Sequence, residues 1–132
     1  MNPNTKEVIE KCAHESHAGL LTFPEVLSRL IGASVESYFV DYRNHSTTYY
    51  LSSNEAYSVP MTMPLIEIPT SFNKEAIVSA IRGAQSDTVR YPEFLKLTMS
   101  AGCAGYMVWI AGKHVSYFGR AGDVHVEHFP KG

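Results

Sequence analysis

The chain has 132 residues, of which 45% are apolar and 18% charged, with 11 Lys and Arg against 13 Asp and Glu and a formal net charge of −2. Disordered, collagen-like and coiled-coil classes are excluded, and the length suits one compact domain or two very small ones, a single domain of this size burying roughly two-thirds of its unfolded surface. A near-neutral balance also argues against a dedicated nucleic-acid binder, which carries a basic excess.

In chain order, Val8, Ile9, Cys12 and Ala13 recur at three- and four-residue spacing and predict a helix from about Thr5 to His17. Thr22-Phe23-Pro24-Glu25 is a capping-box pattern with Pro in the first turn. It opens a second helix whose buried stripe is Val26, Leu27, Leu30 and Ile31. A hairpin follows, with Val35–Arg43 and Ser46–Ser52 flanking a two-residue turn at Asn44-His45, and then a third strand. Pro60, Pro64 and Pro69 punctuate a connector in which Leu65, Ile66 and Ile68 predict a short extended piece. Asn73 is placed to cap a third helix, about Lys74 to Gln85, that turns Ile77, Val78 and Ile81 inward. Pro92-Glu93 opens a fourth, with Phe94, Leu95 and Met99 inward. Gly105–Ala111 and His114–Gly119 then flank Gly112-Lys113, where glycine at the first loop position suits a type II′ turn. Asp123, His125 and Glu127 lie on the strand expected last.

Self-similarity organises this order. Displacing the chain by 68 positions aligns Asn4–Leu51 with Phe72–Gly119 without a gap. Ten positions are identical: Lys6/Lys74, Glu7/Glu75, Ile9/Ile77, Pro24/Pro92, Glu25/Glu93, Leu27/Leu95, Ala33/Ala101, Tyr38/Tyr106, Val40/Val108 and Tyr49/Tyr117. Chance would give about three at average composition. The expected fold is α+β, a tandem repeat of helix–helix–antiparallel meander units related by a pseudo-two-fold. One domain over 1–132 then consists of repeats at about 4–60 and 72–129, joined by the Pro-rich connector. The two sheets either pair edge to edge or pack face to face.

The hairpin turns set the register, and one residue of slip would exchange the faces. Tyr38, Val40, Tyr42, Thr47 and Tyr49 share one face with Tyr106, Val108, Ile110, Val115 and Tyr117, and this face packs on the helices. The opposite face carries Phe39, Asp41, Arg43, Thr48 and Tyr50 in the first half and Met107, Trp109, His114, Ser116 and Phe118 in the second. A sheet with helices on one side normally turns polar residues outward. Met107, Trp109 and Phe118 are too apolar for bare solvent, so the other half, a second subunit or a ligand is expected to cover them.

Phe23-Pro24-Glu25, the run Tyr38-Phe39-Val40-Asp41-Tyr42-Arg43, the pair Tyr49-Tyr50 and the tail from Tyr117 to Glu127 resemble the YbcV-like family of small bacterial and prophage proteins. Some of these carry the label "phage envelope protein". The resemblance covers most of the chain. It implies a small α+β cytosolic protein and carries over no catalytic or binding residue.

Asp123, His125 and Glu127 point to one face of a strand. His125 and Glu127 could share a divalent metal or act as a base and its orienting partner; the plainer alternative is alternation with the polar residues out and Val124 and Val126 in. Spacing supplies no third metal ligand, so no metal and no cofactor is assigned. His14 and His17 read as a solvated helix end. Gly119-Arg120-Ala121-Gly122 lacks the lysine and following helix of a phosphate loop and reads as a tight connection. Asp41 and Arg43 form either a recognition fork or an ordinary cross-strand ion pair. Trp109, beside Met107, Phe118 and His114, is a hot spot or pocket wall, or else is buried between two sheets of the chain.

Cys12 and Cys103 are too few for a disulfide framework and read as small buried hydrophobes. The first residues carry Lys6, Glu7, Glu10 and Lys11 where a secretory signal needs an apolar run. The longest uncharged stretch, Leu97 to Gly112, is too short for a membrane helix. A cytoplasmic protein without membrane or nucleic-acid partners is therefore expected. Its leading function is non-catalytic binding of a small apolar ligand or a protein partner on the open face, through Trp109, Met107, Phe118, His114, Asp41 and Arg43. A homodimer is the most economical form. The rival is a small metal- or base-assisted hydrolase-like enzyme centred on His125 and Glu127.

Overall fold

The computed structural model describes residues 1–130. The elements are α1 (Pro3–His17), α2 (Phe23–Gly32), β1 (Val35–Asp41), β2 (Ser46–Leu51), β3 (Ala56–Pro60), α3 (Lys74–Gln85), α4 (Tyr91–Ser100), β4 (Cys103–Trp109), β5 (His114–Gly119) and β6 (Val124–His128). The strands form one antiparallel sheet in the order β3-β2-β1-β4-β5-β6. Its two meanders meet edge to edge, where β1 and β4 pair around Phe39↔Met107. The fold is mixed α+β. No helix among the described residues is long and apolar enough to cross a membrane.

Local chemistry sets where the helices begin. Asn2 caps α1 by accepting from the Asn4 N–H at 2.7 Å, with Pro3 in the first turn, so the helix starts two residues before the expected Thr5. Thr22 and Glu25 close a reciprocal capping box at α2, at 2.9 and 3.4 Å. Asn73 accepts from the Ala76 N–H at 3.1 Å to open α3. At α4 the capping position holds Arg90, whose side chain makes no such bond.

The hairpin turns differ from the two-residue expectation. Asp41↔Ser46 and Trp109↔His114 are the last pairs, so each turn holds four residues, Tyr42 to His45 and Ile110 to Lys113. Burial of the first turn residue is the cause. Tyr42 is 1% exposed and its hydroxyl meets Thr98 Oγ1 at 2.8 Å, while Ile110 is 8% exposed. The left-handed residues are His45 and Lys113, not Gly112. The pairing moves by two positions, an even number, so the side chains that remain paired in β1, β2, β4 and β5 keep their expected faces. The segment around Leu65, Ile66 and Ile68 forms no strand; Leu65 is fully exposed, Ile66 packs partly against the core and Ile68 is buried in it.

Ile9, Leu30 and Ile77 from the helices are fully buried with Val40 and Val108 of the central strands. Each such side chain contributes roughly 1.5–3 kcal/mol. Above β4 and β5 the core is aromatic, with Phe94 edge-on to Tyr106 at 6.3 Å and Tyr106 beside Tyr117 at 5.4 Å. Cys12 and Cys103 are buried free thiols, and burial pushes both up to about 11, which keeps them inert.

The element bounds share one spacing. Each strand from β1 to β3 starts and ends 68 residues before its counterpart from β4 to β6, and α2 stands likewise to α4. The left-handed residues among those described fall into the same spacing, as Gly19/Asp87, Ser34/Gly102, His45/Lys113 and Asn54/Gly122.

Candidate functional site

The sheet face turned away from the helices holds Phe39, Asp41, Thr48 and Tyr50 together with Met107, Trp109, His114, Ser116 and Phe118, by the register of the paired strands. Because the described residues form a single sheet, no second sheet among them buries Trp109. The indole and Tyr50 are each 39% exposed. Trp109 Nε1 donates to Ser116 Oγ at 3.3 Å, and the ring lies 6.2 Å from His114, itself 5.8 Å from His128. Phe39 packs 6.3 Å from Phe118 and lies across Gly105, where a Cβ would come 3.5 Å from its ring tip and 2.5 Å from the Val40 carbonyl. Glycine is needed there because of the Val40 carbonyl, whereas the Phe39 ring stands at ordinary contact distance.

Arg43 does not join this face as expected. It lies in the four-residue turn and is exposed, and the Asp41 carboxylate accepts from the Arg43 and Asn44 backbone N–H groups at 3.2 and 3.1 Å. Asp41 is therefore a turn cap, with no fork between the two side chains.

The last strand reverses the expected alternation. Val124 and Val126 face outward, 51% and 44% exposed, while His125 and Glu127 face the helices. Pairing compels this, because His125 sits opposite Tyr117 and Glu127 opposite Val115, both helix-facing. Arg82 of α3 compensates the inward carboxylate, with Nη1 2.7 Å from Glu127 Oε2 and Nη2 3.4 Å from Oε1. His125 Nε2 lies 3.3 Å from Oε1. Burial alone would raise the Glu127 pKa, but the hydrogen bonds from Arg82 and His125 outweigh it and hold the carboxyl below its ordinary range. The same bond raises Arg82 further. Asp123 precedes the strand and is exposed. Among the described residues no three His, Cys, Asp or Glu side chains stand together as a metal site.

Two further motifs are structural. His17 stacks on Tyr91 at 5.8 Å, and burial lowers its pKa. Arg120 donates to the Ile68 carbonyl at 2.9 Å, fastening the turn before β6 to the connector.

A cavity of about 410 Å³ opens between the sheet and α2, α3 and α4. Tyr38, Phe94, Tyr106 and Tyr117 form its walls, with Phe23, Phe129 and Glu127 nearer the edge strand. The sequence marks these tyrosines as helix-facing but gives no sign of a space between them and the helices. The available signal is chemical: a core this rich in tyrosine must find partners for its hydroxyls.

Helices over one face of a six-stranded antiparallel sheet, a nearly uncharged face opposite with an aromatic cluster on it and a cavity between the layers define a small mixed α+β protein. The chain belongs to the DUF1398 family, described as proteins of unknown function, which it matches over residues 9–128. It is also similar to uncharacterised proteins of Mycobacterium bovis and of two strains of Mycobacterium tuberculosis. Each is 30% identical over 71 residues, 54% of this chain and 43% of the relative. The match takes in less than half the length of those relatives.

Proposed function

We propose that the chain is a non-catalytic binding module whose open sheet face pairs with a second copy of itself. The supporting observation is the chemistry of that face. Of the eighteen positions on it, three from each of six strands, only Asp41 carries a full charge, and its carboxylate is occupied in the turn. Solvated sheet faces are polar, whereas the centres of interfaces are depleted in charge and enriched in aromatic residues and Met. A surface nearly free of charge meets its own copy without repulsion and offers a strongly acidic or basic partner nothing to recognise.

Trp109, Met107, Phe118 and His114 form the proposed contact, with Phe39 and Tyr50 beside them. The hydrolase alternative is less well supported, since Arg82 and His125 already engage the Glu127 carboxylate. Trp109→Lys should convert a dimer into a monomer in sedimentation velocity, with an unchanged circular dichroism spectrum. The central Trp is worth at least about 2 kcal/mol, or roughly 30-fold in dissociation constant. His125→Ala should leave the association intact. A wild-type protein that stays monomeric at every attainable concentration overturns the self-pairing.

The same proposal takes the chain as one domain of two repeats, about 4–60 and 72–129, related by a pseudo-two-fold between Phe39 and Met107. The shared 68-residue spacing of strand bounds and left-handed residues supports it. Free buried cysteines fit the cytoplasmic, YbcV-like setting.

A further inference from the structure

We propose that the cavity on the helix side of the sheet binds a small, neutral, planar aromatic molecule carrying one hydroxyl or carbonyl group. This site lies on the other side of the sheet from the dimer face and does not depend on it. At about 410 Å³ the space falls within the size range of small-molecule sites. Its walls are flat rings, those of Tyr38, Phe94, Tyr106 and Tyr117, which favour stacked or edge-on contact with another ring.

Two polar atoms in this wall call for a partner. The Tyr91 and Tyr106 hydroxyls bond each other at 2.8 Å. The Tyr38 and Tyr117 hydroxyls find no hydrogen-bond partner among the described residues, although the side chains are only 5% and 6% exposed. Neither oxygen is sealed in protein, since no fully buried side-chain polar atom among those described lacks a partner. Both residues line the cavity, so both hydroxyls open toward it. A ligand hydroxyl or carbonyl bonds these oxygens in place of the solvent that otherwise reaches them.

Charge decides between ligand classes. The charged side chains on the wall are already paired, Glu127 with Arg82 and His125 and Arg90 with Asp87 at 3.4 Å, which leaves no unpaired charge to hold an anion or a cation. The matching positions in the first half, Thr47 and Met61, are buried. There Met61 is 7% exposed and receives a hydrogen bond from Thr47 Oγ1 to its sulfur at 3.4 Å. In the second half Val115 and Phe129, at the matching positions, line the cavity instead.

The test is calorimetric titration of the full chain with 2-naphthol, naphthalene, 2-naphthoate and phenyltrimethylammonium. One molecule of 2-naphthol should bind saturably and more tightly than the other three. The Tyr38→Phe/Tyr117→Phe pair should weaken 2-naphthol about tenfold and leave naphthalene unchanged. Ala84→Trp, an exposed helix position on the cavity rim, should abolish binding of both; Val89→Trp serves where that variant does not fold. Absence of saturable 2-naphthol binding overturns the site, as does binding that survives the blocking variant. Equal or tighter binding of naphthalene or of either ion overturns the proposed chemistry.

Discussion

Arg82 and Glu127 tie α3 to the edge strand β6, and the carboxylate they share with His125 is largely shielded from solvent. The Glu127 pKa is held below its ordinary value of 4.5, because the bonds to Arg82 and His125 outweigh burial. A depressed carboxyl pKa contributes stability that is fully present above the unfolded value and is lost as pH falls through the folded one. With Arg82 more than half exposed, solvent screens the pair and its contribution is small. Glu127→Gln should therefore lower the urea midpoint at pH 7, and the gap from wild type should narrow as pH falls below 4.5. An equally wide gap in acid would mean that the substitution acts through packing. The inward turn of this residue was not legible in its own segment. Val-His-Val-Glu-His reads equally well with either face inward, and the decision comes from β5 and from an arginine 45 residues away.

At the scale of elements, α2 and α4 have the same length and the same Pro-Glu start but unequal caps. Thr22 completes a capping box, whereas Arg90 leaves the first N–H groups of α4 without a side-chain acceptor, although Glu93 stands ready at the third position. Arg90 already has the extended backbone that a cap requires, with φ −86° and ψ 164°. Arg90→Thr should stabilise the protein by about 0.5–1 kcal/mol, because the exposed pair it gives up with Asp87, at 3.4 Å, contributes little. A urea midpoint that falls would show the Arg90 bond to the Gly19 carbonyl to be the stronger interaction. The helices and their starts are the most legible part of the sequence, since caps and three-to-four spacing act within a few residues. The turns are less so. A two-residue turn satisfies the local pattern, but Thr98, 56 residues from Tyr42, holds that side chain in the core and lengthens the loop. The face assignment holds only because the register moves by two. The site divides the same way: Trp109, Met107, Phe118 and His114 follow from alternation, while the cavity depends on how far the helices stand from the sheet, which no local pattern encodes.

For the molecule as a whole, the sheet is continuous only through the pairing of β1 with β4. That pairing joins Ser37 to Trp109 and Asp41 to Gly105, with Phe39 opposite Met107 at its centre. On the proposed repeat, Phe39 and Met107 are equivalent positions, so each unit offers the other an edge with the same register it would offer to its own copy. A fragment spanning the second unit, from residue 70 onward, exposes the β4 edge and lacks the partner that covers it. Unpaired edges of this kind seek another strand, and a unit this small rarely folds alone. The fragment should therefore form a dimer by β4–β4 pairing across Met107. Preparing it with Trp109→Lys keeps the open face from contributing a second association. Light scattering should give twice the fragment mass, with a strand signal in circular dichroism that is lost together with the dimer on dilution. Val108→Pro removes a backbone donor that faces the shared edge, one residue from its centre, and should abolish both signals. An unfolded monomer under the same conditions would mean that the two halves have diverged until each edge recognises only the other.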